Sequence, residues 1–305
     1  MTEARAGEID RVSPKVRRLL AGNPSPFTFT GTQTYIVGTG DVGVIDPGPD
    51  LPEHVEAILA ATRGERIAAI ICTHTHRDHS PASRPLAATT GAPIVGCAPL
   101  AIEDDGPRAG AAFDFGYRPD RVLADGETLA ADGWTLEAVA TPGHTSNHLC
   151  FALKRFPQKW EPVLRSGNAT IDDSGSGVLF TGDHVMGWST TVVSPPDGDM
   201  TAYMLSLDRL RGRADRTYLP AHGPAVDNPQ AHVRALAGHR KMREKQILAR
   251  LETGEGRIPA MVAAMYRDID PGLHPAAARS VLAHLIDLER RGLVRPEGEA
   301  WALVG

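Results

Sequence analysis

Apolar and polar positions alternate in short blocks along the first two thirds of the chain. Residues 35–37 and 42–45 are β-formers on either side of a Gly-Thr-Gly-Asp turn signal, which predicts a hairpin over residues 32–47. A helix is expected after Asp50, with Pro52 in its first turn and Val55, Ile58 and Leu59 on its apolar face. The run 67–72 is short, apolar and branched, as a buried strand is. The same reading gives a helix over 85–90, strands over 93–97, 134–140, 148–153 and 178–180, a helix over 203–210 and a strand over 217–219. Strands followed by polar loops bearing histidine or aspartate argue for a layered α/β fold with a site along one strand edge.

Residues 154–177 break this rhythm and read as an extended hairpin or flap. From residue 228 the pattern becomes helical up to 251, then breaks, then resumes over 259–266 and 276–291, where Val281, Leu282, Leu285 and Leu288 recur at helical spacing. The tail GLVRPEGEAWALVG reads as two short strands around a Pro-Glu-Gly-Glu turn. Helices followed by a small hairpin form a winged-helix-like pattern, so the chain is divided into residues 1–245 and 246–305.

At 305 residues, 42% hydrophobic and 23% charged, the chain can bury a sizeable core. Its net charge of -5 gives no overall basic field for nucleic acid. The first residues lack an apolar signal region, and no apolar run approaches membrane-spanning length. Cys72, Cys97 and Cys150 are odd in number and scattered, which fits buried thiols in a reducing compartment. A cytoplasmic location without membrane attachment is therefore expected.

The chemistry concentrates in THTHRDHS, which places His74, His76, Asp78 and His79 directly after the strand 67–72. Imidazole and carboxylate are ligands for zinc and similar ions. Short His/Asp clusters also occur as solvated loops. Three further stretches each put one ligand type at a strand end: TPGHTSNH with His144, FTGDHV with Asp183 and LPAHGP with His222. Together they supply five histidines and two carboxylates, enough for two adjacent metals. Asp46, after a strand in VIDPG, reads either as a support for the ligands or as a turn acid before Pro47; Thr190 and Thr191 read either as pocket lining or as plain loop. His148, His184, His232 and His239 are read as non-ligands. The basic run 240–250 reads as a solvated helix face or as a phosphate contact.

The ordered set THTHRDH, PGHT, GDH and AHGP resembles the metallo-β-lactamase superfamily. That resemblance implies an αββα sandwich with a dinuclear site at one edge of its two sheets. It assigns His74, His76 and His144 to metal 1, Asp78, His79 and His222 to metal 2, and Asp183 to a bridge between them. It implies two divalent ions, with Zn2+ as the default and Mn2+ or Fe2+ compatible with thiolate-free ligands. It also implies a metal-bridging hydroxide as nucleophile, with Asp78 orienting it or moving its proton. NPSPFTFTGTQTYIVG, TTVVSPPDGDM and HRKMREKQIL with the tail are similar to the β-lactamase-like protein 2 group, which implies an endoribonuclease acting on single-stranded RNA. Three features depart from the pattern: Ala221 stands where glycine is usual, the 154–177 insert is long, and Asp183 stands where true metallo-β-lactamases usually place a cysteine. The last speaks against antibiotic hydrolysis. Two other readings are carried: a hydrolase of acyl-thioesters or esters similar to the hydroxyacylglutathione hydrolases, and a non-catalytic winged-helix regulator that binds nucleic acid. A second copy of the chain, in a homodimer, is the remaining partner considered.

Overall fold

The computed structural model describes residues 5–101, 113–154, 177–268 and 270–305. These divide into two compact units. One comprises residues 1–140, 147–189 and 214–229; the other comprises 141–146, 190–213 and 230–305. The segment 154–177, expected to form a hairpin or flap, lies almost wholly outside the described residues.

The first unit holds two sheets. One runs in the order β1 (Ile9–Ser13), β2 (Val16–Leu20), β3 (Gln33–Thr39), β4 (Asp41–Ile45), β5 (Arg66–Cys72), β6 (Ile94–Gly96) and β7 (Arg121–Val122). Its first four strands are antiparallel, and β3 and β4 form the expected hairpin, with Thr39 opposite Asp41. From β4 to β7 the strands are parallel. The second sheet runs β12 (Thr217–Pro220), β11 (Val178–Gly182), β10 (Leu149–Leu153), β9 (Trp134–Ala140) and β8 (Thr128–Ala131), with β11 and β12 parallel.

The side-chain period of two explains the layering. In β3, Tyr35 and Val37 join Phe151, Phe180 and Leu219 in a core between the sheets, while Ile36 faces the other way. In β5, Ala69 and Ile71 face that inner core; a register shift that skips Ala68 breaks the alternation, so Ile67 and Ile70 both join Ile58 of α1 (Pro52–Ala61) and Leu86 of α2 (Ser83–Thr90). β5 is thus apolar on both faces, as a parallel strand covered on both sides must be. Pro52 opens α1, where its missing N–H costs nothing.

The second unit contains α3 (Met200–Arg211), α4 (Pro229–Glu252), α5 (Ile258–Met265) and α6 (His274–Arg290), followed by the hairpin β13 (Val294–Glu297) and β14 (Ala300–Leu303). Asp199 caps α3 by accepting from the Ala202 N–H at 2.8 Å. Ile247 and Leu251 of α4 share a core with Met261 and Val262 of α5, Val281, Leu285 and Leu288 of α6, and Val294. The winged-helix pattern is therefore present, and α4 runs unbroken through residues 245 and 246. The expected turn is tighter than the sequence suggests: Pro296 and Glu297 lie in β13, and Gly298 with Glu299 makes the turn. Among the described residues no helix is long and apolar enough to cross a membrane.

Candidate metal centre

Open α/β sheets place their ligand sites beyond the carboxyl ends of parallel strands. β4 delivers Asp46, β5 delivers Thr73 to His79, β11 delivers Asp183, and the residue after Pro220 and Ala221 is His222. The residues 73–80 leave β5 in a compact turn, with the His79 and Ser80 N–H groups donating to the His76 carbonyl at 3.0 and 3.2 Å. Asp114 pins this turn from outside: it accepts from Ser80 Oγ at 2.8 Å and from Arg84 at 2.7 and 2.9 Å.

Two donor groups result. His74, His76 and Asp183 offer ligand atoms that lie within 4.8 Å of one another, and so do Asp78, His79 and His222. His79 Nε2 lies 3.3 Å from Asp78 Oδ2 and 3.5 Å from Asp183 Oδ1; His222 Nε2 lies 3.2 Å from each of the same two oxygens. Asp183 thus borders both groups. His144 belongs to the second unit, in the turn at 141–146, and its Nδ1 lies 2.7 Å from the Val192 carbonyl.

The imidazoles are oriented from behind. His222 Nδ1 donates to the Gly31 carbonyl at 3.2 Å, and His79 Nδ1 to Asp46 Oδ2 at 3.1 Å. The Thr73 hydroxyl donates to Asp46 Oδ2 at 2.8 Å, so its oxygen accepts from His74 Nδ1 at 2.9 Å. Each of these contacts fixes the tautomer that presents Nε2 as a lone pair, the arrangement that metal-binding histidines need. His74 Nε2 and His76 Nδ1 face each other at 3.0 Å. The buried Nε2 of His79 makes no hydrogen bond among the described residues, although two carboxylates stand beside it. A donor set of imidazoles and carboxylates turned toward a common space fits divalent ions. It contains no thiolate, since Cys72, Cys97 and Cys150 are buried apart from both groups.

The electrostatics follow from this crowding. Burial pushes the Asp78 carboxyl up, but His79 and His222 beside it hold it well below the usual carboxylate range, and Asp183 behaves likewise. Burial lowers His222, yet Asp183 and Asp78 raise it to about 10; His79 is raised in the same way by Asp78, Asp183 and Asp46.

Several supports had no clear signal in the sequence. Thr73 is fully buried and joins His74 to Asp46. Gly182 has a φ of 48°, and a Cβ there would lie 2.7 Å from His148 Nε2 and 2.8 Å from Thr73 Oγ1. His148 is buried and accepts from the Asp183 N–H at 3.3 Å. None of His148, His184, His232 and His239 joins either donor group among the described residues. Asp46 is buried, accepts from the Thr73 N–H at 2.8 Å, and has a φ of 47°. Thr190 and Thr191 lie in the second unit, before α3. Thr191 is buried, and its carbonyl accepts from Arg240.

The profile of the Metallo-beta-lactamase superfamily matches residues 27–155, and that of the Beta-lactamase associated winged helix domain matches 258–301. The chain is 32% identical over 251 residues to a protein of Aspergillus fumigatus named atrochrysone carboxyl ACP thioesterase, covering 80% of this chain and 67% of the relative. It is 30% identical over 325 residues to the lactamase-like protein adaB of Aspergillus niger, covering 99% and 90%. In fold it is similar to a beta-lactamase domain protein from Burkholderia ambifaria (TM-score 0.78, 20% identity, 99% and 95% covered). A metallo-beta-lactamase family protein from Thermus thermophilus gives a TM-score of 0.74 at 19% identity, with 96% and 100% covered.

Proposed function

The chain belongs to the metallo-beta-lactamase superfamily, and on that premise we propose that this hydrolase uses two metal ions to cleave an acyl thioester. The observation that carries the proposal is Asp183 Oδ1, which stands beside His79 and His222 while sharing a donor group with His74 and His76. His74 and His76 would hold one ion, Asp78, His79 and His222 the other, and Asp183 both. Zinc is the default, with manganese or iron compatible with the donors. Bound divalent ions supply Lewis acidity and an activated water at neutral pH.

Hydrolysis adds the water oxygen to the acyl carbon, breaks the C–S bond and returns a proton to the departing sulfur. Asp78 is the carboxylate suited to that proton. Its side chain keeps 26% of its surface open, against 11% for Asp183, and Thr32 Oγ1 steadies it at 3.4 Å. Asp46, with Thr73, holds His79 and His74 in place. We assign catalysis to residues 1–245 and a supporting role to residues 246–305.

Support for the thioester comes from relatives named as thioesterases and from the basic helix. Arg240 is buried, and Arg243 donates to the Met265 carbonyl at 3.0 Å and stacks on the Tyr266 ring at 4.2 Å. These two arginines face inward and offer little to the phosphates of RNA, whose binding depends on accessible cations. The non-catalytic regulator is weakened too, because relatives that match most of the chain are named as thioesterases.

The test is a substrate screen with metal-loaded protein: acyl thioesters of N-acetylcysteamine against labelled single-stranded RNA. Thioester hydrolysis that disappears in Asp78→Ala and His79→Ala is the expected result. RNA cleavage lost in the same variants, with thioesters untouched, would overturn the thioester reading.

A further inference from the structure

Two exposed aromatic rings stand beside one of the metal-binding histidines. Phe29 and Trp188 stack with ring centroids 4.9 Å apart and planes inclined by 19°, although 44% and 36% of their surfaces remain exposed. They come from different loops, one before β3 and one after β11.

Both loops are tied to His222 through backbone. The carbonyl of Gly31, two residues after Phe29, accepts from His222 Nδ1 at 3.2 Å. The N–H of Gly187, immediately before Trp188, donates to the His222 carbonyl at 3.0 Å. A Cβ at Gly223, which follows His222, would lie 2.9 Å from Trp188 Cβ, so the indole rests directly on that backbone.

The Phe29 loop is itself over-determined. Phe29 has a φ of 59°, rare for a bulky residue. Paired backbone bonds with Ser25 at 2.9 and 3.3 Å hold it, and Ser25 Oγ accepts from the Phe27 and Thr28 N–H groups at 3.1 Å. A backbone fixed in this way aims a ring at a chosen place rather than leaving it loose on the surface.

A ring pair fixed next to a metal ligand and open to solvent is a surface made to be covered. The stretches that build it, GNPSPFTFTG, MGWS and HGPAV, contain no lysine or arginine. A stacked nucleotide needs cations for its phosphate; a neutral flat group needs none. Beyond His76, Phe113 packs its ring at 4.9 Å, and Phe115 lies a further 6.3 Å away with 41% exposed. Aromatic surface therefore flanks the donor groups on both the His222 and the His76 sides.

We propose that Phe29 and Trp188 form the acyl subsite and select thioesters whose acyl group is flat and apolar, such as an aromatic ring system. This rests on the thioester reading and adds the part of the substrate that reading leaves open.

The test compares acetyl and 2-naphthoyl thioesters of N-acetylcysteamine on metal-loaded wild type, Trp188→Ala, Phe29→Leu and Phe29→Ala. For Trp188→Ala and Phe29→Leu, kcat/KM on the naphthoyl ester is expected to fall tenfold or more, with the acetyl ester within twofold and metal content unchanged. Equal losses on both esters, or no loss on either, would overturn the subsite. If wild type hydrolyses neither ester, the thioester reading fails, and calorimetric binding of 2-naphthoate then decides the subsite by itself. Tenfold weaker binding in Trp188→Ala supports an apolar acyl subsite; unchanged binding overturns it. Cleavage of labelled RNA that slows only in the Trp188 variant would assign the rings to base stacking and overturn the proposal.

Discussion

Oδ2 of Asp46 lies 3.1 Å from Nδ1 of His79, with both side chains buried, and the same oxygen accepts the hydroxyl proton of Thr73, whose oxygen faces His74. One carboxylate therefore orients a histidine from each donor group. Partners of this kind are worth about 10–100-fold in metal affinity. Asp46→Asn keeps the shape and tolerates the left-handed backbone at φ 47°, so the fold should survive. Competition titration against a chromophoric chelator should show the affinity loss, with circular dichroism unchanged. Wild-type affinity would reduce Asp46 to a purely structural acid.

Asp183 stands at the border of the two groups, so its loss should cost more metal than the loss of a ligand on one side. Elemental analysis of metal-loaded wild type should give about two ions per chain. His222→Ala is expected to retain one and Asp183→Asn fewer. Chelation should also lower the unfolding temperature, since a ligand at about a thousand times its Kd contributes about 4 kcal/mol. Equal metal content in both variants would remove Asp183 from the bridging position.

Gly182 ends β11 just before Asp183, where any side chain would crowd its neighbours. An added Cβ would meet His148 Nε2 at 2.7 Å and Thr73 Oγ1 at 2.8 Å, on a backbone with φ 48°. Gly182→Ala should therefore destabilise the fold by about 1–3 kcal/mol, the usual cost of strain and overpacking together. It should also weaken metal binding, because both displaced groups contact the donor residues or their neighbours. A thermal shift under 1 °C with full metal content would show that the loop yields freely.

Much of this site is legible in the sequence because metal chemistry restricts residue type. His74, His76, Asp78, His79, Asp183 and His222 are recognisable as donors wherever they stand, and strand ends tell where they must gather. Thr73 and Gly182 are not legible, since a threonine or glycine at a strand end is common and its meaning lies in what it touches. In the fold, the buried parallel strand β5 announces itself by an unbroken apolar run. β1 and β2 escape notice because Arg11, Arg17 and Arg18 interrupt the alternation; in the structure Arg17 is nearly buried and spends its charge on the Ala61 carbonyl at 2.8 Å and on Glu65 at 2.7 Å. The basic run 240–250 keeps the solvated face that its charge suggests, though not at every position. Lys241 and Lys245 are exposed, while Arg240 turns inward over the Tyr203 ring at 5.3 Å.

His284 gives the second unit an acid-sensitive element. It is buried in α6, and burial, together with Arg240, His239 and Arg243, lowers its pKa to about 3; Asp287 opposes them only in part. The unfolded chain binds a proton near pH 6.5 and the folded chain does not until about pH 3, so stability is full above pH 6.5 and is lost as the pH falls through that window. At pH 5 the loss from this group alone is about 2 kcal/mol relative to pH 7. His54 in the first unit, lowered to about 4 by burial, and the half-buried His239 add to the same slope. His284→Leu removes the titration while keeping a side chain of comparable size at this buried position. Its denaturant midpoint should fall less steeply than that of wild type between pH 7 and pH 5, whatever its stability at neutral pH. Parallel slopes in the two proteins would mean that His284 is already charged in the fold.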